Sequence, residues 1–220
     1  MKTLYSQAVL SMALLLAGLF SVQRTAAQPV SIDEPGLTPN EIQARRLFNQ
    51  SYNQVFGPQG CTFTFDVNIA KLFKNRGTIW MKDKKTKSIS SRSITWNDGK
   101  KVYVVRHKKK VVEVYDPSSP KKDKYSSHFK FEPRNYHYSI ATDGNDLLIT
   151  LKLKKKAKGM KELKAWVDRQ TMAPKRLRIK VAFLRANVYI SGFRSGRIDD
   201  GVFEFPRQQY QGWEMRNEEF

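Results

Sequence analysis

The chain has 220 residues, with 40 lysines and arginines against 20 acidic residues and a formal net charge of +20. This length suits one domain with a sizeable core. The single cysteine, Cys61, excludes an internal disulfide, so stability must come from packing. The positive excess favours anionic partners such as lipid headgroups, acidic proteins or polyanions, while a solvated lysine-rich surface without a partner explains it equally well.

The N-terminus predicts an exported protein. Lys2 precedes an apolar run from Ala8 to Phe20, and small residues follow up to Ala27. This order is typical of a cleaved secretory signal peptide, and the apolar run is shorter than the ~20 residues that a membrane-spanning helix needs. Removal of the peptide takes away Lys2 and Arg24 and lowers the formal charge from +20 to +18. We expect a soluble mature protein. The predicted parts are a signal peptide over 1–27, a linker over 28–37 and a single domain over 38–220.

One helical pattern follows the linker. Thr38 suits the capping position, Pro39 the first helical position and Glu41 the third residue after the cap. Apolar residues then recur at helical spacing until Gly57-Pro58 ends the pattern. The sequence therefore predicts one amphipathic helix over about residues 39–55.

The rest of the chain alternates with the period of a strand. Between Cys61 and Ala70 apolar and polar residues alternate almost without exception. Asn97-Asp98-Gly99 is a strong hairpin signal. Short strands separated by turns predict an antiparallel sheet that is folded over or curled into a barrel. The predicted strands are residues 61–70, 77–82, 88–96, 102–106, 111–115, 136–141, 147–153, 163–167, 177–183, 188–193 and 201–205.

The apolar face of such a sheet is larger than the helix. A helix of about 17 residues is roughly 25 Å long, and strands lie ~4.8 Å apart, so the helix covers only a few strands. The remaining apolar surface either holds a ligand or is filled by side chains, and the pattern alone leaves both readings open. The predicted fold class is mainly β (α+β): a curved antiparallel sheet, or incomplete β-barrel, with the N-terminal helix as a lid over an apolar cavity.

Several segments resemble the LolA/LolB-like family of outer-membrane lipoprotein carriers. The first is Gly77-Thr78-Ile79-Trp80-Met81-Lys82, an apolar strand that ends in lysine. The second is Asn97-Asp98-Gly99-Lys100-Lys101-Val102-Tyr103-Val104, a turn that leads into an aromatic strand. Later segments continue the resemblance in the family's order. They are Val111 to Tyr115, Val167-Asp168 ahead of Pro174, and Phe203-Glu204-Phe205-Pro206 as the closing strand.

The resemblance implies a periplasmic chaperone that holds the acyl chains of lipoproteins in an apolar cavity. It also implies two partners, an inner-membrane transporter that releases the lipoproteins and an outer-membrane acceptor. Classical members have Arg-Pro after the lysine of the first segment, and that arginine helps to latch the lid. This chain has Asp83-Lys84 there, which leaves the latch without its family residue.

Three sets of residues are candidates for this function. The first set would line the acyl cavity: Phe65, Val67, Ile79, Met81, Ile94, Val102, Val104, Ile149, Leu151, Ile179, Val181 and Phe183. The second set would face the cavity from the helix: Ile42, Leu47 and Phe48. The third set would form a basic docking face for an anionic membrane surface or an acidic partner: Lys152, Lys154, Lys164, Arg176, Arg178 and Lys180. Plain core packing for the first set and ordinary surface solvation for the third remain alternatives.

Other functions have weaker sequence support. His107, His128 and His137 show no metal-ligand spacing, and Cys61 begins an alternating strand, as a buried inert thiol would. We therefore expect no enzyme, no metal and no cofactor. Nucleic-acid binding would need exposed aromatic residues such as Trp80, Tyr103 and Tyr115 beside the lysines, and export argues against it. We expect a monomer, and the rival function is an envelope module that binds acylated ligands, membrane or polyanions without transporting them.

Overall fold

The computed structural model describes residues 30–69, 73–91, 93–116 and 131–217. The predicted signal peptide, residues 28–29 of the predicted linker, Ala70, residues 117–130 with His128, and the last three residues lie outside the described residues. Within them the chain forms one α-helix, α1 (Pro39–Phe56), and one twelve-stranded sheet. The strands are β1 (Cys61–Ile69), β2 (Phe73–Lys82), β3 (Lys85–Ser90), β4 (Ile94–Asn97), β5 (Val102–Arg106), β6 (Val111–Tyr115), β7 (Tyr136–Asp143), β8 (Asp146–Leu153), β9 (Glu162–Asp168), β10 (Pro174–Val181), β11 (Leu184–Ser195) and β12 (Glu214–Asn217).

The helix begins as the sequence predicts. The Thr38 hydroxyl accepts a hydrogen bond from the Glu41 backbone N–H at 3.2 Å, and Pro39 occupies the first turn, where its missing N–H costs nothing. The helix ends one residue later than predicted, at Phe56, and the Gly57 N–H donates to the Asn53 carbonyl at 2.7 Å. No helix among the described residues is long and apolar enough to cross a membrane.

The strands form a single curved sheet that does not close into a barrel, as the sequence predicts. Its order is β12-β6-β5-β4-β3-β2-β1-β11-β10-β9-β8-β7, and only the pairing of β12 with β6 is parallel. Residues directly opposite each other on neighbouring strands share a face. We call the face that carries Phe65, Ile79 and Leu151 the inner face, because α1 packs against it, and the opposite face the outer face.

In the described part of the chain, three hydrophobic clusters stabilise the sheet. Two lie on the inner face: one around Phe63 and Ile179, the other between α1 and β7–β9 around Phe48 and Leu151. The third lies on the outer face of β4–β6 around Trp96, where the C-terminal segment covers it. At this end the sheet is therefore buried on its outer face as well, because the C-terminal aromatic residues cover it there.

Two predicted strands are wrong. Residues 88–96 form two strands, because Ser90 and Ser93 close a tight turn: the Ser90 N–H donates to the Ser93 carbonyl at 3.0 Å, and its hydroxyl bonds there as well. Residues 201–205 form no strand, because Asp199 accepts from the Gly201 N–H at 2.8 Å and starts a short 3₁₀ turn instead. The closing strand that the family resemblance implied at Phe203 is thus a turn, and β12, a fully exposed edge strand, was not predicted.

The predicted linker is packed against the helix from Val30 onward. Val30 is buried in the cluster under α1, and both of its backbone groups bond to the Asn49 side chain at 2.9 and 2.8 Å. The polar composition of residues 30–37 gives no sign of this contact, because only Val30 and the helix residue Asn49 make it.

Candidate functional site

The register brings most of the predicted cavity residues to the inner face. Phe65, on β1, lies opposite Ile190, and Ile79 lies opposite both Phe63 and Ser88. The residues of this set on the inner face are Phe65, Val67, Ile79, Met81, Val102, Val104, Ile149, Leu151, Ile179 and Val181.

The structure corrects two members of the set. Ile94 pairs with Val105 and Ile89 on the outer face, because the turn at Ser90 shifts the alternation of β4 from the one assumed for a single strand. Phe183 lies in the turn between β10 and β11, and its side chain is 64% exposed. Strand β10 ends at Val181, so the alternation does not continue to Phe183.

The other members divide by burial. All except Val181 are buried, and most pack into the two inner clusters. Val102 and Val104 belong to neither, because the inner positions of β3 and β4 between them and β2 are polar. These polar positions are Thr86, Ser88, Ser90, Thr95 and Asn97. The buried members of the set are thus core residues of the inner face, and we call them the packed floor.

A group of apolar inner-face residues is only half-buried. We call it the half-buried belt, and it lies on β9–β11. Its members are Leu163, Leu177, Val181, Ile190 and Phe193, all in contact with the first inner cluster. Strand alternation marks Leu163, Leu177 and Val181 as apolar face residues, but their half-burial depends on where α1 lies and has no signal in the sequence.

The predicted lid residues differ in their contacts. Phe48 is buried and meets the Tyr138 ring edge-on at 5.3 Å, and Leu47 packs against the same cluster. Ile42 is half-buried and belongs to none of the three clusters. The C-terminal end of the helix, Val55 and Phe56, packs against the first inner cluster. The helix therefore lies across the inner face from β7 towards β1.

A buried arginine ties the segment before the helix to it. The Arg45 side chain is 1% exposed, donates to the Ser31 carbonyl at 2.7 Å and forms ion pairs with Glu34 at 2.9 Å and Glu41 at 3.3 Å. Its guanidinium lies 5.5 Å from the Tyr138 ring centroid. Burial raises the pKa of Tyr138, against the opposing charge of Arg45, so the phenol stays neutral.

The two residues that stand where the family has its latch arginine and proline form a turn in this chain. Asp83 and Lys84 connect β2 to β3, and Asp83 has a φ of +50°, a backbone region that asparagine, aspartate and glycine tolerate best. The sequence analysis did not select Arg45. This charged side chain joins the helix to the segment before it.

The predicted basic residues that lie on strands share the outer face. Lys164 lies opposite Arg178, and Lys180 lies opposite Glu162, which interrupts the positive charge. Lys152 pairs with the same Glu162, and Lys154 follows the end of β8. The two arginines are half-buried: Arg176 and Arg178 lie 4.6 and 5.4 Å from the Trp166 ring centroid.

The cysteine, histidine and tyrosine residues considered for other functions make contacts within the fold. Cys61 is buried and its thiol donates to the Val55 carbonyl at 3.3 Å. The His107 ring packs against Tyr210 and Trp213. Tyr103, which nucleic-acid stacking would need exposed, is 5% exposed and stacks on Phe205 at 4.3 Å. The described residues contain no group of three or more metal-ligating side chains.

No family model and no curated protein matches the sequence of this chain. Solved structures do match its fold. An uncharacterized conserved protein from Thermus thermophilus matches with a TM-score of 0.53 at 6% identity, over 80% of this chain and 99% of that chain. The LolA superfamily protein NE2245 from Nitrosomonas europaea matches with a TM-score of 0.34 at 8% identity, over 74% and 98%. LprF from Mycobacterium bovis matches with a TM-score of 0.41 at 8% identity, over 74% and 97%. The likeness to the Thermus thermophilus structure is one of fold. The fold class that the sequence predicts, a curved antiparallel sheet with one N-terminal helix, is confirmed in the described residues.

Proposed function

We propose that this protein binds acyl chains on the inner face of its sheet and carries lipoproteins through the periplasm. The donor would be a lipoprotein-releasing transporter of the inner membrane and the recipient an acceptor of the outer membrane, as the family resemblance implies. The predicted signal peptide supports the compartment. The resemblance of the sequence segments to the LolA/LolB-like family, together with the curved sheet and its single helix, supports the class of protein.

The observation that carries the proposal is the half-buried belt. Its five residues are apolar, share the face that α1 covers in part, and keep contact with solvent. Apolar surface next to a packed core binds hydrocarbon, because each methylene that leaves water gains about 0.8 kcal/mol. The belt contains no polar side chain, so a bound chain would make no hydrogen bonds that delay its release.

The helix is attached in a way that suits a lid. Beyond its apolar contacts, a few side-chain hydrogen bonds hold its C-terminal half: Gln54 donates to the Thr171 carbonyl at 2.6 Å, and the Ser195 hydroxyl donates to the Gln54 carbonyl at 3.1 Å. Displacement of this half would uncover the half-buried belt and the packed floor next to it. The buried cavity candidates would then contact the ligand only in the open state.

A matched pair of substitutions tests the belt. Ile190→Trp places a large ring on the inner face, whereas Tyr189→Trp changes the neighbouring, 50% exposed residue of the outer face. We expect Ile190→Trp to weaken binding of a fluorescent fatty acid by about tenfold or more, because the ring occupies belt volume, and Tyr189→Trp to bind like the wild type. Circular dichroism and urea unfolding check that both variants fold.

Native mass spectrometry of protein purified from membranes provides the second readout. Bound acylated cargo on the wild type, reduced in Ile190→Trp, supports the proposal. A wild type that neither carries nor binds acyl chains would refute it. If the protein binds acyl chains but does not transfer lipoproteins between donor and acceptor vesicles, it is the non-transporting module instead.

A further inference from the structure

The turn between β10 and β11 exposes a phenylalanine at the end of the sheet. Phe183 is 64% exposed, the largest exposed fraction among the large hydrophobic residues that the structure describes. Its turn partner Ala182 has a φ of +49°, a region that disfavours residues with a Cβ. The adjacent pair Val181 and Leu184 belongs to the apolar inner cluster. Most of an aromatic ring is thus exposed at this turn.

Positive charge surrounds this turn. Lys180 and Arg185 face each other at the base of the hairpin. The Lys161 N–H donates to the Lys180 carbonyl at 2.8 Å, which fixes the loop after β8 beside the hairpin. The cations of this end, called here the basic end, are Lys154, Lys155, Lys156, Lys158, Lys161, Lys180 and Arg185.

Few acids neutralise the basic end. Glu162 is the one carboxylate in the segments 153–162 and 180–185. None of the seven cations forms an ion pair with a carboxylate of the described residues. Their charge is therefore available to an external anion.

We propose that Phe183 and the basic end dock this protein on an anionic lipid bilayer, with the phenylalanine ring inserted at the boundary between headgroups and acyl chains. Lysine and arginine near the surface attract anionic headgroups, and an aromatic side chain adds hydrocarbon burial that a soluble polyanion cannot offer. The ring stands at a projecting hairpin turn and not in a groove, which fits a flat, deformable surface better than a folded protein partner.

Docking in this orientation would help the proposed carrier function, but the docking proposal does not depend on that function. Val181 belongs both to the half-buried belt and to the hairpin that carries Phe183. The belt would then open next to the membrane, and an acyl chain could pass between them with little exposure to water. Vesicle binding can be measured without any cargo, so failure of the docking proposal and failure of the carrier proposal are distinguishable.

Vesicle flotation with purified protein tests the proposal. The vesicles contain phosphatidylethanolamine with phosphatidylglycerol, and neutral phosphatidylcholine vesicles serve as the comparison. We expect the wild type to bind the anionic vesicles and Phe183→Ser to bind them about tenfold more weakly. Phe183→Trp, which keeps an aromatic ring at this position, should bind like the wild type. Brominated acyl chains should quench the emission of Phe183→Trp more than that of the wild type.

Charge variants complete the test. Lys155→Glu with Lys158→Glu should abolish binding, whereas Lys100→Glu with Lys108→Glu, the same charge change at exposed turns elsewhere, should leave most of it. Equal losses in both double variants would mean non-specific attraction and overturn the proposal. So would a Phe183→Ser variant that binds vesicles like the wild type while heparin competes for the protein, since that result indicates a polyanion site.

Discussion

The Asn40 side chain pairs with the backbone of Ile140, one hundred residues away in the chain. The Asn40 amide donates to the Ile140 carbonyl at 2.9 Å, and its oxygen accepts from the Ile140 N–H at 3.0 Å. Ile140 lies on β7, one of the two edge strands of the sheet. Glu41 accepts from the next outward N–H, that of Tyr138, at 3.3 Å. The first turn of the helix therefore occupies an edge that would otherwise be open to pairing with another chain.

Asn40→Ala removes both bonds to the edge strand. Because water can reach the released groups, we expect a loss of only about 0.5–1.5 kcal/mol in the free energy of unfolding, together with faster aggregation. Urea unfolding and light scattering measure the two effects. The control is Gln43→Ala, an exposed residue of the same helix. Equal behaviour of the two variants would contradict a role for Asn40 in protecting the edge.

Arg45→Ala should destabilise the protein far more than Arg46→Ala. Arg45 is buried and serves two carboxylates and a carbonyl, whereas Arg46 is exposed. We expect losses of about 2–4 kcal/mol for the first variant and within about 0.5 kcal/mol for the second, measured by urea unfolding. Arg45→Lys should fall between them, because an ammonium lacks the planar fork of donors. A small loss for Arg45→Ala would contradict its role in holding the segment before the helix.

The turn after β9 should contribute stability that depends on pH. The backbone N–H of Thr171, the Lys175 ammonium, the Thr171 hydroxyl and the Gln170 N–H all bond to the Asp168 carboxylate and hold its pKa well below the usual range. The folded pKa is lower than the unfolded one. The contribution is therefore fully present above the unfolded pKa of about 3.9 and is lost as the pH falls through the folded pKa.

Asp168→Asn should remove this dependence. We expect the stability difference between wild type and variant to be constant near neutral pH and to shrink as the pH falls below about 4. Urea unfolding over a pH series measures it, and Lys175→Met should reduce the difference by removing one donor. A difference that does not change in acid would show that the bonds to Asp168 are not retained in solution.

Truncation to alanine should destabilise the protein at Phe205 and have little effect on stability at Phe183. Phe205 stacks on Tyr103 at 4.3 Å and on Tyr210 at 5.3 Å, so Phe205→Ala should cost about 2–3 kcal/mol. Phe183 is exposed, so Phe183→Ala should change the free energy of unfolding by about 0.5 kcal/mol or less. Thermal unfolding compares the two. A large loss for Phe183→Ala would mean that the ring serves the fold and not a surface.

Much of the fold follows from local patterns. The cap at Thr38 and Pro39 predicts the start of the helix correctly, because capping depends on residues within one turn. The alternation of Cys61 to Ile69 predicts β1, since the period of two reflects burial on one side. The hairpin at Asn97-Asp98-Gly99 forms as predicted, with Asp98 accepting from the Lys100 and Lys101 N–H groups at 2.7 Å. The errors arise where the pattern weakens, at Ser90 to Ser93 and after Asp199.

The sequence by itself determined that this chain makes a curved antiparallel sheet with one capped helix, because those features depend on near neighbours and on the side-chain period. Only the tertiary structure decided which apolar residues are packed floor and which, like Ile190, keep part of their surface in contact with solvent. It also decided that Ile94 lies on the outer face and that Phe183 points outward at a turn. These outcomes depend on strand ends, register and the position of the helix, which residues far apart in the chain set together.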